Sequence, residues 1–152
     1  MEMRHIVRVA ATELKGEMPL KIALTKIKGV GFMFSNAVIR ALGFDPNRAV
    51  GTLSDEEIEK IEECLKNPQK YGIPSWLYNR RRDPETGQDL HLVSADLELR
   101  TRQDIDFMKK IKCYKGIRHA LGLKVRGQRT RSTGRKGRTV GVQRKKVKGG
   151  GK

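Results

Sequence analysis

The apolar positions in the first half of the chain alternate briefly and then repeat at helical spacing. Val7 and Val9 are separated by a polar residue, which is typical of a short strand or an extended arm. Pro19 is a helix-start signal and Gly29 a helix-stop signal, and together they predict one short amphipathic helix. Its apolar residues fall at i, i+3, i+4 and i+7: Leu20, Ala23, Leu24 and Ile27.

Two more helices are predicted between residues 31 and 67. The first follows a tight glycine turn and ends at Gly43. Its apolar face comprises Phe34, Ala37, Val38, Ala41 and Leu42. The second begins with a capping-box pattern, Ser54 followed three residues later by Glu57, and ends at Asn67-Pro68. Its apolar stripe comprises Ile58, Ile61 and Leu65.

Residues 69–94 lack a helical period. They contain prolines, the run Arg80-Arg81-Arg82 and a turn signal at residues 84–87, which together predict a loop or a small hairpin. Trp76 and Tyr78 lie two residues apart in this segment, and we expect both rings to pack on the body rather than to stack on bases.

A longer helical pattern returns around Leu97 and continues to Ile111, and we expect Gly116 to end it before a short helical turn at 117–121. Beyond Leu123 the chain has no aromatic or acidic residue and many glycines, so it cannot form a core of its own. The predicted fold is mainly α: a small helical body (1–122) with a helix-two-turns-helix element, a hairpin-like insertion at about 67–96, and a long extended basic arm (123–152).

Charge separates the two ends of the chain. The protein has 33 Lys or Arg against 17 Asp or Glu, a net charge of +16. Between Phe107 and Lys152 there are 17 basic residues and no acidic one. Such a distribution predicts a polyanionic partner, of which nucleic acid and membrane are the two candidates. Because no apolar run approaches a membrane span and the N-terminus lacks a signal-peptide pattern, we expect a cytoplasmic protein without membrane contact.

The chemistry-bearing residues do not form a catalytic pattern. Cys64 and Cys113 are isolated, so we expect reduced thiols rather than a disulfide or a zinc site. The acids at 55–63 cluster on one predicted helix, where the first few favour its dipole and the rest face water. No nucleophile triad or metal-ligand spacing is present. We therefore expect no enzyme activity, no metal and no cofactor.

Two glycines in the segment ALTKIKGVG, Ala23 to Gly31, suit either of two roles. Glycine allows the backbone to approach a phosphate closely, and the N–H groups that open the next helix would form an anion site. Equally, Gly29 would be a helix C-cap and Gly31 a turn residue. Spacing alone does not separate these interpretations.

The basic C-terminal third supplies the main candidate site. Arginine offers forked donors to phosphates and stacks on bases, while glycine lets the chain follow an irregular RNA surface. The alternative is a solvated tail or a localisation signal. His119 would either contact phosphate or cap a helix. The candidate basic residues are Arg118, Lys124, Arg126, Arg129, Arg131, Arg135, Lys136 and Arg138.

The run CYKGIRHALGLKVRGQRTRSTGRKGRT, Cys113 to Thr139, resembles the signature of the universal small-subunit ribosomal protein family numbered thirteen. The segment ALTKIKGVG resembles the helix, two turns and helix of the same family. Residues 67–96 are similar to the insertion of its archaeal and eukaryotic members. The residues Phe32-Met33-Phe34-Ser35 stand where relatives often carry basic or small residues.

That resemblance implies a structural protein of the subunit head that binds small-subunit rRNA, with its arm approaching peptidyl-site tRNA. It further implies contact with the small-subunit protein numbered nineteen and with a large-subunit protein across an intersubunit bridge. The RNA contacts that it implies are Gly116, Arg118, His119, Arg126, Gly127, Gln128, Arg129, Thr130, Arg131, Gly134, Arg135 and Arg138.

A different class of protein also fits the glycine motif. GVG followed by alanine suits a helix-hairpin-helix in an accessory factor of DNA repair or replication. Such a module would need a catalytic partner domain, and the basic arm would be redundant for gripping one duplex backbone.

Overall fold

The computed structural model describes residues 3–134. Close contacts divide the chain into two units, one ending at Gln103 and the other starting at Asp104. The elements of the first unit begin with β1 (Ile6–Val9), β2 (Thr12–Lys15) and α1 (Leu20–Ala23). They continue with α2 (Phe32–Leu42), α3 (Asp55–Lys66) and the start of α4 (Ser94–Lys110). The second unit contains the end of α4 and the short helix α5 (Tyr114–Ala120).

The alternating N-terminal segment forms an antiparallel hairpin, which confirms the predicted strand. Val9 pairs with Thr12, and Ala10 and Ala11 both adopt positive φ, as a two-residue hairpin turn requires. Val7, Val9 and Leu14 are buried because alternate residues of a strand share one face.

The predicted helix after Pro19 is shorter than its apolar pattern. Only one α-helical turn forms in α1, and residues Leu24–Lys26 continue as a tighter 3-10 turn. Ile27 is already extended, and Gly29 turns the chain with φ +96°. All four predicted core residues are nevertheless buried. The spacing therefore identified the buried face correctly, because a 3-10 turn keeps nearly the same side facing inward. The length that it predicted for the helix was wrong.

Helices α2 and α3 form where they were predicted. Gly43 ends α2 in the left-handed conformation. The Ser54 Oγ accepts a hydrogen bond from the Glu57 N–H, and the Glu57 carboxylate accepts one from the Ser54 N–H, so the capping box is complete. Ala41 is exposed, contrary to its predicted place on the apolar face of α2.

The core of the first unit is formed by the inner faces of these elements. Cys64 is buried beside Ile61 and Leu65 on α3, and burial raises the pKa of its thiol to about 11. The buried Ser35 hydroxyl donates to the Lys21 carbonyl at 2.9 Å, which ties α2 to α1. Cys64 is therefore an unreactive packing residue at neutral pH.

Residues 68–93 form an irregular loop with two 3-10 turns and one antiparallel bridge, Arg80 to Leu90. Tyr78 is buried and donates its hydroxyl hydrogen to the Ile73 carbonyl at 2.9 Å. Trp76 is 64% exposed, so the prediction that it packs on the body was wrong. The two rings differ because only Tyr78 faces the core, where it lies edge-on to the buried His91.

A buried carboxylate holds this loop to α4. Asp83 is 1% exposed and accepts hydrogen bonds from Arg80 at 2.5 Å and from Arg100 at 2.8 and 3.0 Å. The Thr86 hydroxyl and N–H donate to the same group. These partners, Arg80 foremost, hold the pKa of Asp83 well below its ordinary value despite its burial. One of the three arginines in the run at 80–82 is therefore an internal anchor.

The second unit departs from the prediction at Gly116. Helix α4 ends at Lys110, and Lys112 takes positive φ (51°) to reverse the chain. Gly116 does not break the helix; it lies buried inside α5, where a Cβ atom would overlap the Met108 carbonyl oxygen. The Cys113 Sγ caps α5 by accepting from the Gly116 N–H at 3.4 Å. Glycine is needed here for close packing rather than for a turn.

The architecture is mainly helical with one small hairpin, which confirms a small helical body. After Gly122 the described chain has turns and no helix or strand as far as Gly134. Most of the predicted arm, and the residues Arg135, Lys136 and Arg138, lie outside the described part of the chain. The boundary near Leu123 stays a prediction.

Candidate nucleic-acid interface

Residues 104–134 form a strongly basic surface. They include nine lysines and arginines and only two acids, Asp104 and Asp106. Lys109 pairs with Asp106 at 2.9 Å, near the start of the segment. From Phe107 onward the sequence has no Asp or Glu. Electrostatics therefore favour an anionic partner for this surface.

Arg118 is placed by the local fold of α5. Its Nε donates to the Lys124 carbonyl at 2.9 Å, which links the helix to the segment that follows it. Its guanidinium carbon lies 6.0 Å from the centre of the Tyr114 ring. The remaining donors of the guanidinium suit a phosphate oxygen.

His119 occupies the last turn of α5 and is half-buried. A histidine near a helix C-terminus is favoured by the helix dipole when it is charged. This position fits both of its predicted roles, and the RNA contact stays a prediction.

The predicted contacts that follow α5 are exposed side chains on a turning chain. Gly127 and Gly134 adopt positive φ values of 67° and 76°, so both positions require the conformational freedom of glycine. The Thr133 hydroxyl donates to the Arg129 carbonyl and tightens the last described turn. The exposed residues in this stretch are Lys124, Arg126, Gln128, Arg129, Thr130 and Arg131.

Gly116 differs from the other predicted contacts because it is buried. Its burial assigns it to the packing of α5 against the end of α4 and leaves contact with a partner to its exposed neighbours.

The glycine motif of the first unit separates into two roles. Gly29 packs closely under the Leu92 carbonyl and needs positive φ, so it is a structural turn residue. Gly31 is exposed, has open space at its Cα and opens α2 without any side-chain cap. The N–H groups of the first turn of α2 therefore remain suited to an anion, but Phe32 and Met33 expose apolar side chains there.

The described residues meet the requirements of neither a metal site nor a membrane-spanning helix. Within residues 3–134, no group of His, Cys, Asp or Glu is arranged to hold a metal ion. None of the helices in that range combines the length and apolarity needed to cross a membrane. A groove of about 750 Å³ is lined largely by residues 66–70 and 88–93.

Two features escaped the sequence reasoning. Asp83 was not singled out, and Arg80 was named only as part of the run at 80–82, because pairing over 17 residues to Arg100 leaves no local signal. Tyr114 was quoted only as part of a signature, although its ring is 68% exposed at the start of α5. An aromatic residue among lysines was the available signal for the second feature.

Together these features describe a small helical protein with an acid-free basic extension. The sequence profile of the family described as ribosomal protein S13/S18 matches residues 8–136. A protein of Methanothermobacter thermautotrophicus is 56% identical over 145 residues, covering 95% of this chain and 97% of its own. One of Nanoarchaeum equitans is 57% identical over 143 residues, covering 94% of each chain. Both carry the name small ribosomal subunit protein uS13.

A relative from Thermofilum pendens with the same name is 56% identical over 147 residues, covering 97% of this chain and 94% of its own. The chain belongs to the ribosomal protein S13/S18 family. Its similarity to archaeal members extends through the insertion at 67–96, which confirms the resemblance inferred from the two motifs.

Proposed function

We propose that this chain is a structural constituent of the small ribosomal subunit that binds small-subunit rRNA through the surface following Phe107. The observation that carries the proposal is the exposed, acid-free basic stretch on α5 and residues 122–134, in a chain whose family consists of ribosomal proteins. Crowded rRNA phosphates would neutralise a charge that the protein alone cannot. Catalysis has no part in this role.

The finer roles follow the family resemblance. The protein would lie in the head of the subunit, beside the protein numbered nineteen, and its arm would approach peptidyl-site tRNA. Its body would contribute to a bridge with a large-subunit protein. The basic arm supports the tRNA contact because tRNA presents the same phosphate chemistry as rRNA. The protein would work in the cytoplasm.

Salt dependence of binding tests the electrostatic part of the proposal. If about eight basic residues meet phosphates, the logarithm of affinity of the full chain for purified small-subunit rRNA should fall with log salt at a slope of about −6 to −7. A slope near zero would contradict phosphate binding. Equal affinity for duplex DNA of random sequence would favour the helix-hairpin-helix alternative.

Two triple variants locate the binding surface. Replacing Arg126, Arg129 and Arg131 with Glu should lower affinity for rRNA by at least about a hundredfold, because three contacts become repulsive. The matched control replaces three exposed lysines of the first unit with Glu, which changes the net charge equally: Lys15, Lys60 and Lys66. Equal losses in both triples would show that only total charge matters.

Sedimentation of lysate tests the ribosomal role directly. The protein should migrate with small subunits through high-salt washing and be released only when magnesium depletion unfolds the rRNA. Recovery in the soluble fraction, or on chromosomal DNA, would overturn the proposal.

A further inference from the structure

The most exposed aromatic ring of the second unit lies among its basic residues. Tyr114 is the first residue of α5 and is 68% exposed. Its neighbours Lys112 and Lys115 are exposed as well. A large ring left in water costs free energy that packing would recover, so its exposure indicates a partner that covers it.

Arg118 stands one helical turn from Tyr114 and is held in place. At 6.0 Å from the ring centre, the guanidinium is at the outer limit of a cation–π interaction and beyond van der Waals contact. It therefore leaves the ring uncovered. The bond from its Nε to the Lys124 carbonyl orients the group, so ring and guanidinium form a pair arranged before any ligand binds.

The chemistry around the ring decides which partner fits. A protein partner would be expected to use the exposed Ile117 and Leu121 beside Tyr114. The uninterrupted positive charge from Phe107 onward favours a polyanion instead, and an aromatic ring beside arginine is the arrangement on which unpaired bases of RNA stack. Stacking requires an accessible ring, and Tyr114 meets this condition.

We propose that Tyr114 is a stacking platform for an unpaired nucleobase of RNA, with Arg118 binding the phosphate next to that base. The inference rests on the proposed RNA-binding function and adds to it a site that reads a base rather than the backbone. It also explains why this ring is exposed on α5 when Tyr78 in the first unit is buried.

The test compares two RNA probes on the full chain. One is a short oligouridine, and the other has the same sugar and phosphate backbone but no bases. Replacing Tyr114 with Ala should weaken binding to oligouridine by about tenfold or more and leave binding to the abasic probe unchanged. Tyr114→Phe should bind both probes like the original protein, because the ring persists. A 2-aminopurine placed in the first probe should be quenched on binding the original chain and much less by Tyr114→Ala.

The control is Leu121→Ala, since Leu121 is a similarly exposed apolar residue of the same unit. It should bind both probes normally. Equal weakening by Tyr114→Ala on the two probes would indicate a structural role for the ring and would overturn stacking.

Three further outcomes separate this inference from the proposed function. Unchanged oligouridine binding by Tyr114→Ala, with normal salt dependence, would refute stacking and leave rRNA binding intact. If Tyr114→Ala and Leu121→Ala both bound RNA normally but both left the small subunit, the face would dock a protein and stacking would be wrong. Failure of the original chain to bind rRNA at all would refute the proposed function itself.

Discussion

The two units of this chain use apolar residues in opposite ways. In the part of the chain that the structure describes, every buried apolar side chain belongs to residues 7–93. The second unit exposes most of its large apolar side chains: Phe107, Ile111, Tyr114, Ile117, Leu121 and Leu123. Both regions have helical spacing, so spacing alone does not create a core. An apolar face becomes buried only when another element of the same unit can pack on it.

The sharpest way to test this contrast is the same substitution in both units. Leu65 is fully buried and Leu121 is 66% exposed. Leu65→Ala should lower the free energy of unfolding by about 3–5 kcal/mol, because it leaves a cavity as well as losing apolar burial. Leu121→Ala should change it by less than about 0.5 kcal/mol. Denaturant unfolding monitored by circular dichroism measures both, and equal losses would show that the second unit has a core of its own.

The next largest effect concerns the loop that Asp83 anchors. Asp83→Ala leaves Arg80 and Arg100 without their shared buried partner and should lower Tm by on the order of 10 °C. Glu85 also pairs with Arg100, at 2.7 Å, but its side chain is largely exposed. Glu85→Ala is therefore the control and should shift Tm little. A small shift for Asp83→Ala would mean that the loop contributes little to the first unit.

Acid should destabilise the first unit through His91. Its ring stacks on Phe34 at 3.6 Å, and burial lowers its pKa from 6.5 to about 4. The unfolded chain therefore binds this proton near pH 6.5 and the folded chain only near pH 4. The associated stability is complete above pH 6.5 and is lost as pH falls towards 4, by on the order of 3 kcal/mol.

Urea unfolding at several pH values between 7 and 4 measures this loss. His91→Gln keeps an acceptor for the Asn79 N–H but cannot titrate, so it should lose much less stability than the original protein over that range. An unchanged pH dependence in His91→Gln would place the titrating group outside the core.

The smallest expected effect is the change in Tm caused by a variant of the second unit. The triple replacement of Arg126, Arg129 and Arg131 with Glu, which should greatly reduce rRNA affinity, should move Tm by less than about 2 °C, since these side chains pack on no core. Differential scanning calorimetry measures the shift. A drop in Tm as large as the one that Leu65→Ala causes would show that residues 123–134 are part of the folded unit.

Local signals in the sequence predicted much of the fold. The capping box at Ser54 and the glycine at 43 placed the start of α3 and the end of α2, because each depends only on neighbours along the chain. The alternating N-terminal segment predicted a strand for the same reason. Gly116 was misplaced because a glycine that ends a helix and a glycine that allows close packing look the same in sequence.

The candidate interface was predicted in outline and not in detail. Composition identified the basic, acid-free segment, and the family motif indicated its partner. The structure then showed that the predicted glycines have different roles: Gly29 and Gly116 support packing, whereas Gly127 lies on an exposed turn. It also showed Tyr114 and Arg118 as a pair at the start of that surface.

By itself the sequence determined the end of α2, the start of α3, the charge separation and the family, because caps, periodicity, charge distribution and motifs can be read along the chain. Tertiary structure alone decided that Asp83 lies buried between Arg80 and Arg100, and that Tyr78 turns inward while Trp76 turns out. Burial and pairing depend on which distant segments meet. Contacts between distant segments are set by the packing of the whole unit, so the local sequence pattern does not indicate them.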